Sequence, residues 1–250
     1  MPRTRNLYDP NSTKPIKLSR SRLENFVRCP HCFYLDRRLG IDVPPMPGFT
    51  LNSAVDHLFK VEFDRYRAQK KSHPIMIEYG IEAIPFQHPD LDVWRENFKG
   101  VSFHHEPTNF LFAGAVDDVW IQKNQELIIV DYKSTSKNGE VELTDAPWHH
   151  AYRRQMEMYQ WLFRKNKFQV SDTGYFVYAN GIKEREGFNN QLEFKTILIP
   201  YKGDSSWVEP TLIKAHECLA SDKLPESKDE CEYCKYRNET SVVERKSNDG

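Results

Sequence analysis

Leu127-Ile128-Ile129-Val130-Asp131-Tyr132-Lys133-Ser134 is the stretch on which the architecture turns. Four consecutive apolar residues leave no polar side, so the stretch reads as a strand covered on both faces in the middle of a sheet. The period of two then puts Asp131 and Lys133 on one face and Tyr132 on the other, so an acid and a base emerge side by side. Upstream, Phe110 to Ile121 also reads as a strand, joined to the first by the polar Lys123-Asn124-Gln125. A hairpin centred on Asn124 pairs residues equidistant from it, which sets Asp117 across from Asp131 with Cβ atoms about 4.5–5.5 Å apart. A two-residue turn at Asn124-Gln125 would shift the pairing and bring in Asp118 instead.

Two carboxylates that close disfavour folding unless a proton or a divalent cation is shared between them, and hard oxygen ligands suit Mg²⁺ or Mn²⁺. An ordinary acidic pair at a hairpin mouth would have the same spacing. Paired carboxylates, a divalent ion and an adjacent ammonium are the groups that phosphodiester hydrolysis uses. The ion acidifies water and offsets charge on phosphorus, while a lysine orients the water or steadies the developing oxyanion.

Outward from this centre, Ser21-Arg22-Leu23-Glu24 reads as a capping box opening a short helix that turns Leu23, Phe26 and Val27 inward until Pro30. Leu51, Val55, Leu58, Phe59, Phe63 and Tyr66 are spaced as the apolar stripe of a second helix, separated from the first by the Pro-rich Val43 to Phe49. After the strand pair, Trp148, Tyr152, Met156, Tyr159, Leu162 and Phe163 form another stripe. Strands are expected near Tyr175 to Tyr178 and Phe194 to Ile199, and a last helix near Ser206 to Ala220. The order α, α, β, β, α, β, β, α predicts a mixed sheet flanked by helices, an α/β or α+β domain. Residues 1–17 and 237–250 are polar and expected to fray around a folded body of 18–236.

The 250 residues are 39% hydrophobic and 28% charged, a globular composition. The longest apolar run, Phe110 to Val116, is 7 residues and far too short to span a bilayer. No signal-like apolar run follows the basic N-terminus, so the cytoplasm is the default expectation. The net charge of −1 excludes nucleic-acid binding by gross charge alone. Residues 1–40 nevertheless hold nine basic side chains against three acidic ones. Such a segment, with Arg20, Arg22 and Arg28, suits phosphate contact and equally suits a solvated helix face.

Five cysteines divide as Cys29-Pro30-His31-Cys32, Cys231-Glu232-Tyr233-Cys234 and a lone Cys218. Two Cys-x-x-Cys pairs clamp one ion well, which offers four thiolates for tetrahedral zinc or an iron-sulfur cluster and would join the two ends of the domain. Cys218 is most simply a core residue.

Gly114-Ala115-Val116-Asp117, Ile129-Val130-Asp131-Tyr132-Lys133-Ser134 and Gln155-Met156-Glu157-Met158-Tyr159 together resemble the PD-(D/E)XK nuclease superfamily, whose restriction-endonuclease-like fold is a mixed sheet flanked by helices. Ser19 to Pro30, followed by Phe33-Tyr34-Leu35, resembles the opening helix of the RecB-type exonuclease branch. That branch includes the CRISPR-associated iron-sulfur exonucleases and the nuclease domain of AddB. The resemblance implies that His57, Asp117, Asp131 and the Tyr132 carbonyl hold Mg²⁺ or Mn²⁺, that Lys133 is the catalytic lysine, and that Gln155 and Tyr159 support the site or contact DNA. It also implies a [4Fe-4S] cluster. Here the pattern departs from the branch, because no cysteine follows Cys234 and Cys32 is an extra candidate, which leaves structural Zn²⁺ as a competitor.

The expected function is therefore metal-dependent DNA hydrolysis, as an exonuclease, in repair, recombination or CRISPR adaptation. The alternatives are a non-cleaving DNA-binding accessory subunit and an interaction protein built around the cysteine centre. No Gly-x-x-x-x-Gly-Lys-Ser/Thr loop occurs, so a helicase or CRISPR adaptation partner would be a separate protein.

Overall fold

The computed structural model describes residues 2–44, 48 and 50–248, with side chains as far as 245. Contacts divide the chain into two interleaved units, 1–46 with 104–112 and 206–250, and 47–103 with 113–205. The expected single body of 18–236 is thus two units, each closed by segments far apart in sequence.

The second unit is built on a five-stranded mixed sheet of order β2-β5-β6-β7-β8, from β2 (Ala83–Pro85), β5 (Asp118–Gln122), β6 (Leu127–Thr135), β7 (Thr173–Gly181) and β8 (Phe194–Lys202). The apolar stretch is its central strand, as its lack of a polar side requires. β5 and β6 are antiparallel with Asp118 opposite Val130 and Val119 opposite Ile129, the register centred on Asn124. β6 and β7 are parallel, which demands a crossover, and α6 (Pro147–Lys165) supplies it.

Odd and even residues of β6 face different partners. Ile128, Val130 and Tyr132 join Phe59 and Phe63 of α3 (Thr50–Gln69) and Ile75 and Met76 of α4 (Pro74–Glu78) in one buried cluster. On the α6 side, Met156 lies so close to Gly174 that a Cβ there would overlap its sulfur and crowd the Ile129 carbonyl. Glycine at this point of β7 is what lets α6 seat against the sheet.

Several expectations are corrected. The strand expected over Phe110 to Ile121 is two, β4 (Phe110–Gly114) and β5, because Gly114 to Asp117 turns away and the Val116 N–H bonds to the Trp94 carbonyl of α5 (Leu91–Arg95) at 3.0 Å. In α3 only Phe59 and Phe63 of the expected stripe are buried, whereas Leu51 and Leu58 are 59% and 63% exposed, since the sheet covers little more than one narrow line of that helix. Pro45, Met46, Pro47 and Phe49 of the Pro-rich segment lie outside the described residues.

In the first unit, β1 (Ile16–Ser19) leads into α1 (Arg20–Arg28) and α2 (Pro30–Arg37), with α7 (Val208–Ala220) and α8 (Glu232–Asn248) from the C-terminal part. Ser19, not Ser21, caps α1, its hydroxyl accepting from the Arg22 N–H at 3.4 Å. With β3 (Val101–His105) and β4, β1 makes a sheet of order β1-β4-β3. Both expected tails are structured. Arg3 binds the buried Asp36 at 2.7 Å and Tyr8 is buried, so the N-terminal segment finds partners within the protein, while 237–248 continues α8 with its described side chains mostly exposed. Among the described residues, no helix is long and apolar enough to cross a membrane.

Candidate active site and cysteine centre

Asp131 is fully buried near the end of β6, and Lys133, one strand period on, places its ammonium on the Asp131 carboxylate. Across the hairpin, Asp117 accepts the Tyr132 backbone N–H at 2.9 Å, which fixes it beside Asp131. From α6, the Gln155 side-chain amide donates to Asp131 Oδ1 at 2.7 Å and to the Tyr159 hydroxyl at 3.1 Å. Residues four apart lie on one helix face, so this pair reaches the carboxylate together. Burial alone would lower the pKa of Lys133, but the charges of Asp131 and Asp117 outweigh it and hold the ammonium above the ordinary lysine value. The structure thus brings Asp117, Asp131, Lys133, Gln155 and Tyr159 into one cluster.

It does not turn His57 into that cluster. His57 is exposed on α3, about 100° around the helix from Asp56. Asp56 faces the site instead: Lys60 Nζ stands 2.7 Å from Asp56 Oδ2 and 3.8 Å from Asp117 Oδ1. Burial and the like charge of Asp117 raise the Asp56 pKa against the pull of Lys60 and Lys133. Asp56 and Lys60 went unread in the sequence, although an acid and a base four apart on one helix are a legible pair. Asp56 and Asp117, both reached by Lys60, stand beside the buried Asp131, and carboxylate oxygens are the ligands a hard divalent cation would take, relieving their mutual repulsion.

Behind the site lies a second acid with a different task. Asp118, adjacent to Asp117, points to the other side of the strand and is fully buried. It accepts Arg67 Nη2 at 2.5 Å, Arg95 Nη2 at 2.8 Å and the Tyr132 hydroxyl at 2.8 Å. Arg95 also donates Nε to the Asp117 carbonyl at 3.1 Å, so this network holds Asp117 by its backbone. Removing one member of a buried ion network leaves uncompensated charge, so Asp118→Asn should destabilise the protein by about 3–5 kcal/mol in urea unfolding. A loss under about 1 kcal/mol would show the arginines reaching solvent without it.

A family model for the PD-(D/E)XK nuclease superfamily matches residues 50–238, most of the chain. The chain belongs to that superfamily. It is also similar in structure to an exonuclease candidate from Eubacterium rectale, at 15% identity over 94% of this chain and 93% of that one, with a TM-score of 0.42. A second likeness, to the protein SSO0001, has 15% identity over 88% and 81% and a TM-score of 0.33. Likenesses this low carry no argument about function. No curated protein matches the sequence.

In this PD-(D/E)XK chain the four paired cysteines converge. The sulfurs of Cys29, Cys32, Cys231 and Cys234 lie within 4.8 Å of one another, with Cys29 to Cys234 at 3.8 Å, Cys32 to Cys231 at 3.6 Å and Cys32 to Cys234 at 3.5 Å. Burial pushes the Cys32 and Cys234 thiols up, Cys234 to about 11. At Cys29 burial is outweighed by the backbone N–H groups of Lys228 and Cys32, which bring it down to about 7. As thiolates, four sulfurs this close could share one metal ion, whose charge would offset their repulsion. His31 is the spacer of its pair. Arg237 can only donate, so its 2.9 Å contact makes His31 Nε2 the acceptor, and Nδ1–H donates to the Pro225 carbonyl at 2.8 Å. Cys218 stands apart, half-buried, its thiol raised to about 11 by burial.

Of the candidate phosphate contacts, Arg22 is held by Asp36 at 2.8 Å and by both oxygens of Asp42 at 3.0 and 2.8 Å. Arg20 is half-buried, while Arg28, in the last turn of α1, is exposed.

Proposed function

We propose that this chain is a Mg²⁺- or Mn²⁺-dependent deoxyribonuclease of the RecB exonuclease type, serving DNA repair, recombination or CRISPR adaptation. The observation that carries the reading is the Lys133 ammonium seated on buried Asp131 with Asp117 held across from it. Asp117, Asp131, Asp56 and the Tyr132 carbonyl would hold the divalent ion, with Asp56 replacing the His57 implied by resemblance. That ion supplies positive charge against which a water is deprotonated and the charge developing on phosphate is offset. Lys133 stays protonated, steers the attacking water and stabilises the developing oxyanion. Gln155, oriented by Tyr159, keeps the Asp131 carboxylate in one rotamer. Arg28, exposed in the last turn of α1, is the candidate for the DNA backbone.

For the cysteine centre we favour zinc. A tetrahedral ion with Zn–S near 2.3 Å separates its sulfurs by about 3.8 Å. Three of the six sulfur pairs lie at 3.5–3.8 Å, near that edge, and all lie within 4.8 Å. A cubane cluster spaces its cysteines wider.

The test is cleavage of linear single- and double-stranded DNA, labelled at either end, with Mg²⁺, Mn²⁺, Ca²⁺ or no ion. Cutting with Mg²⁺ or Mn²⁺ alone is expected. No cutting by folded, metal-replete protein would leave the non-cleaving binding module as the better reading. Asp56→Ala should raise the Mn²⁺ concentration needed for cleavage by about 10–100-fold, as loss of a metal-site residue does, while His57→Ala should stay near the parent. The reverse pattern would return the ligand to His57.

A further inference from the structure

We propose that Trp148 is a stacking platform for an unpaired nucleobase lying a few nucleotides from the scissile phosphate. This rests on the nuclease reading and adds a substrate class to it, single-stranded or frayed DNA.

Trp148 lies in the first turn of α6 and is 60% exposed, so no packing role within the described structure explains it. It begins an aromatic series that ends at the catalytic lysine. Its ring centroid is 5.7 Å from that of His149, His149 is 5.9 Å from Tyr152, and the Tyr152 ring lies 4.7 Å from Lys133 Nζ. Trp148, Tyr152, Gln155 and Tyr159 recur at the spacing of one helix face, so the face that carries Gln155 to Asp131 continues outward to Trp148. Seven residues separate Trp148 from Gln155, about 10 Å of helix, and stacked nucleotides advance about 3.4 Å each along a strand, which places Trp148 some three nucleotides from the reacting phosphate.

The surroundings suit a nucleotide. The Thr144 backbone N–H donates to His149 Nδ1 at 2.9 Å, which leaves the His149 proton on Nε2 as a donor. Burial, and after it the charges of Arg153 and Lys137, lower the His149 pKa against the pull of the Thr144 N–H and Glu142. Arg153 donates to the Leu143 carbonyl at 3.0 Å and to His150 Nδ1 at 3.3 Å, and Asp145 lies 3.8 Å away, so the guanidinium charge sits on this face held by the neighbouring loop and helix. A duplex keeps its base faces inside the stack, so only an unpaired base can present one to Trp148.

The experiment is anisotropy of a labelled short oligothymidylate, and of a blunt duplex, bound to the full chain in Ca²⁺, where cleavage is not needed. Trp148→Ala should weaken oligothymidylate binding roughly ten-fold and leave the duplex unchanged, and Trp148→Phe should recover most of the loss. An abasic nucleotide moved along the oligomer should reproduce the ten-fold loss at one position in the parent and add nothing in Trp148→Ala. Equal binding by parent and Trp148→Ala, or losses that simply multiply, would overturn the platform while leaving the nuclease reading intact. A parent that binds the duplex but not oligothymidylate would do the same. Failure to cut, with stacking intact, would count against the nuclease reading alone.

Discussion

Lys133→Ala should leave a folded protein that binds Mn²⁺ at least as tightly as the parent and cleaves DNA on the order of 10²–10³-fold more slowly. The two halves of this result have one cause. Lys133 is half-buried, with its ammonium on Asp131 and the field of Asp117 holding it charged. Without it, Asp117, Asp131 and Asp56 keep their negative charge with one cation fewer nearby, so a divalent ion is drawn in more strongly. The hydrogen bonds of Gln155 to Asp131 and of Tyr132 to Asp117 survive, so the carboxylates stay in place. What is lost is the donor at the charge that develops during attack. Thermal unfolding with and without Mn²⁺ reads the first half, because a ligand of the folded state raises the midpoint further the tighter it binds, and a single-turnover cleavage assay reads the second. Cleavage within about ten-fold of the parent would remove Lys133 from the chemistry. Loss of Mn²⁺ binding would make it structural.

Cys234→Ser should empty the cysteine centre and loosen the first unit by at least several kcal/mol, the order expected when a structural metal or a long-range cross-link is lost. The site joins residues 205 apart, Cys29 and Cys234, so it removes a large closure entropy from the unfolded chain. The parent should carry about one equivalent of zinc and be colourless. The variant should carry none and should be cut by protease between α7 and α8, where 221–231 is tied to α1 and α2 by Tyr34 on the Ser221 carbonyl, His31 on the Pro225 carbonyl and Lys228 on the Val27 carbonyl, contacts that loosen with the centre. Brown protein containing iron would overturn the sulfur-spacing argument for zinc, and metal-free parent protein would overturn the centre altogether. Asp131→Ala separates the two metals, since it should leave the zinc content untouched.

How much of this was legible before the structure depends on how local the cause is. The covered central strand, the crossover helix and the register that pairs Asp117 with Asp131 follow from side-chain alternation and one short turn, and these operate over a few residues. The paired cysteines were equally legible as a motif, because a two-residue spacer converges two sulfurs wherever it occurs. Gln155 and Tyr159 were readable as neighbours on one helix, but only the resemblance connected them to Asp131.

Other features answer to distance and rotation. Whether α3 presents Asp56 or His57 to the site is a rotation of about 100°, set by Phe59 and Phe63 packing on the sheet rather than by the composition of the helix. Asp118, next to Asp117, could not be assigned its structural task from sequence, because its partners Arg67 and Arg95 lie 51 and 23 residues away. The N-terminal segment expected to fray is held by pairings of the same long-range kind, Arg3 to Asp36 and Tyr8 to His216. The sequence by itself determined the strand that carries the acid and base, their common face and the cysteine pairs, since alternation and spacing are properties of adjacent residues. Only the tertiary structure decided the third acid, the buried network behind the site and the division into two units, because packing alone chooses how a helix is turned and which distant charges share a buried space.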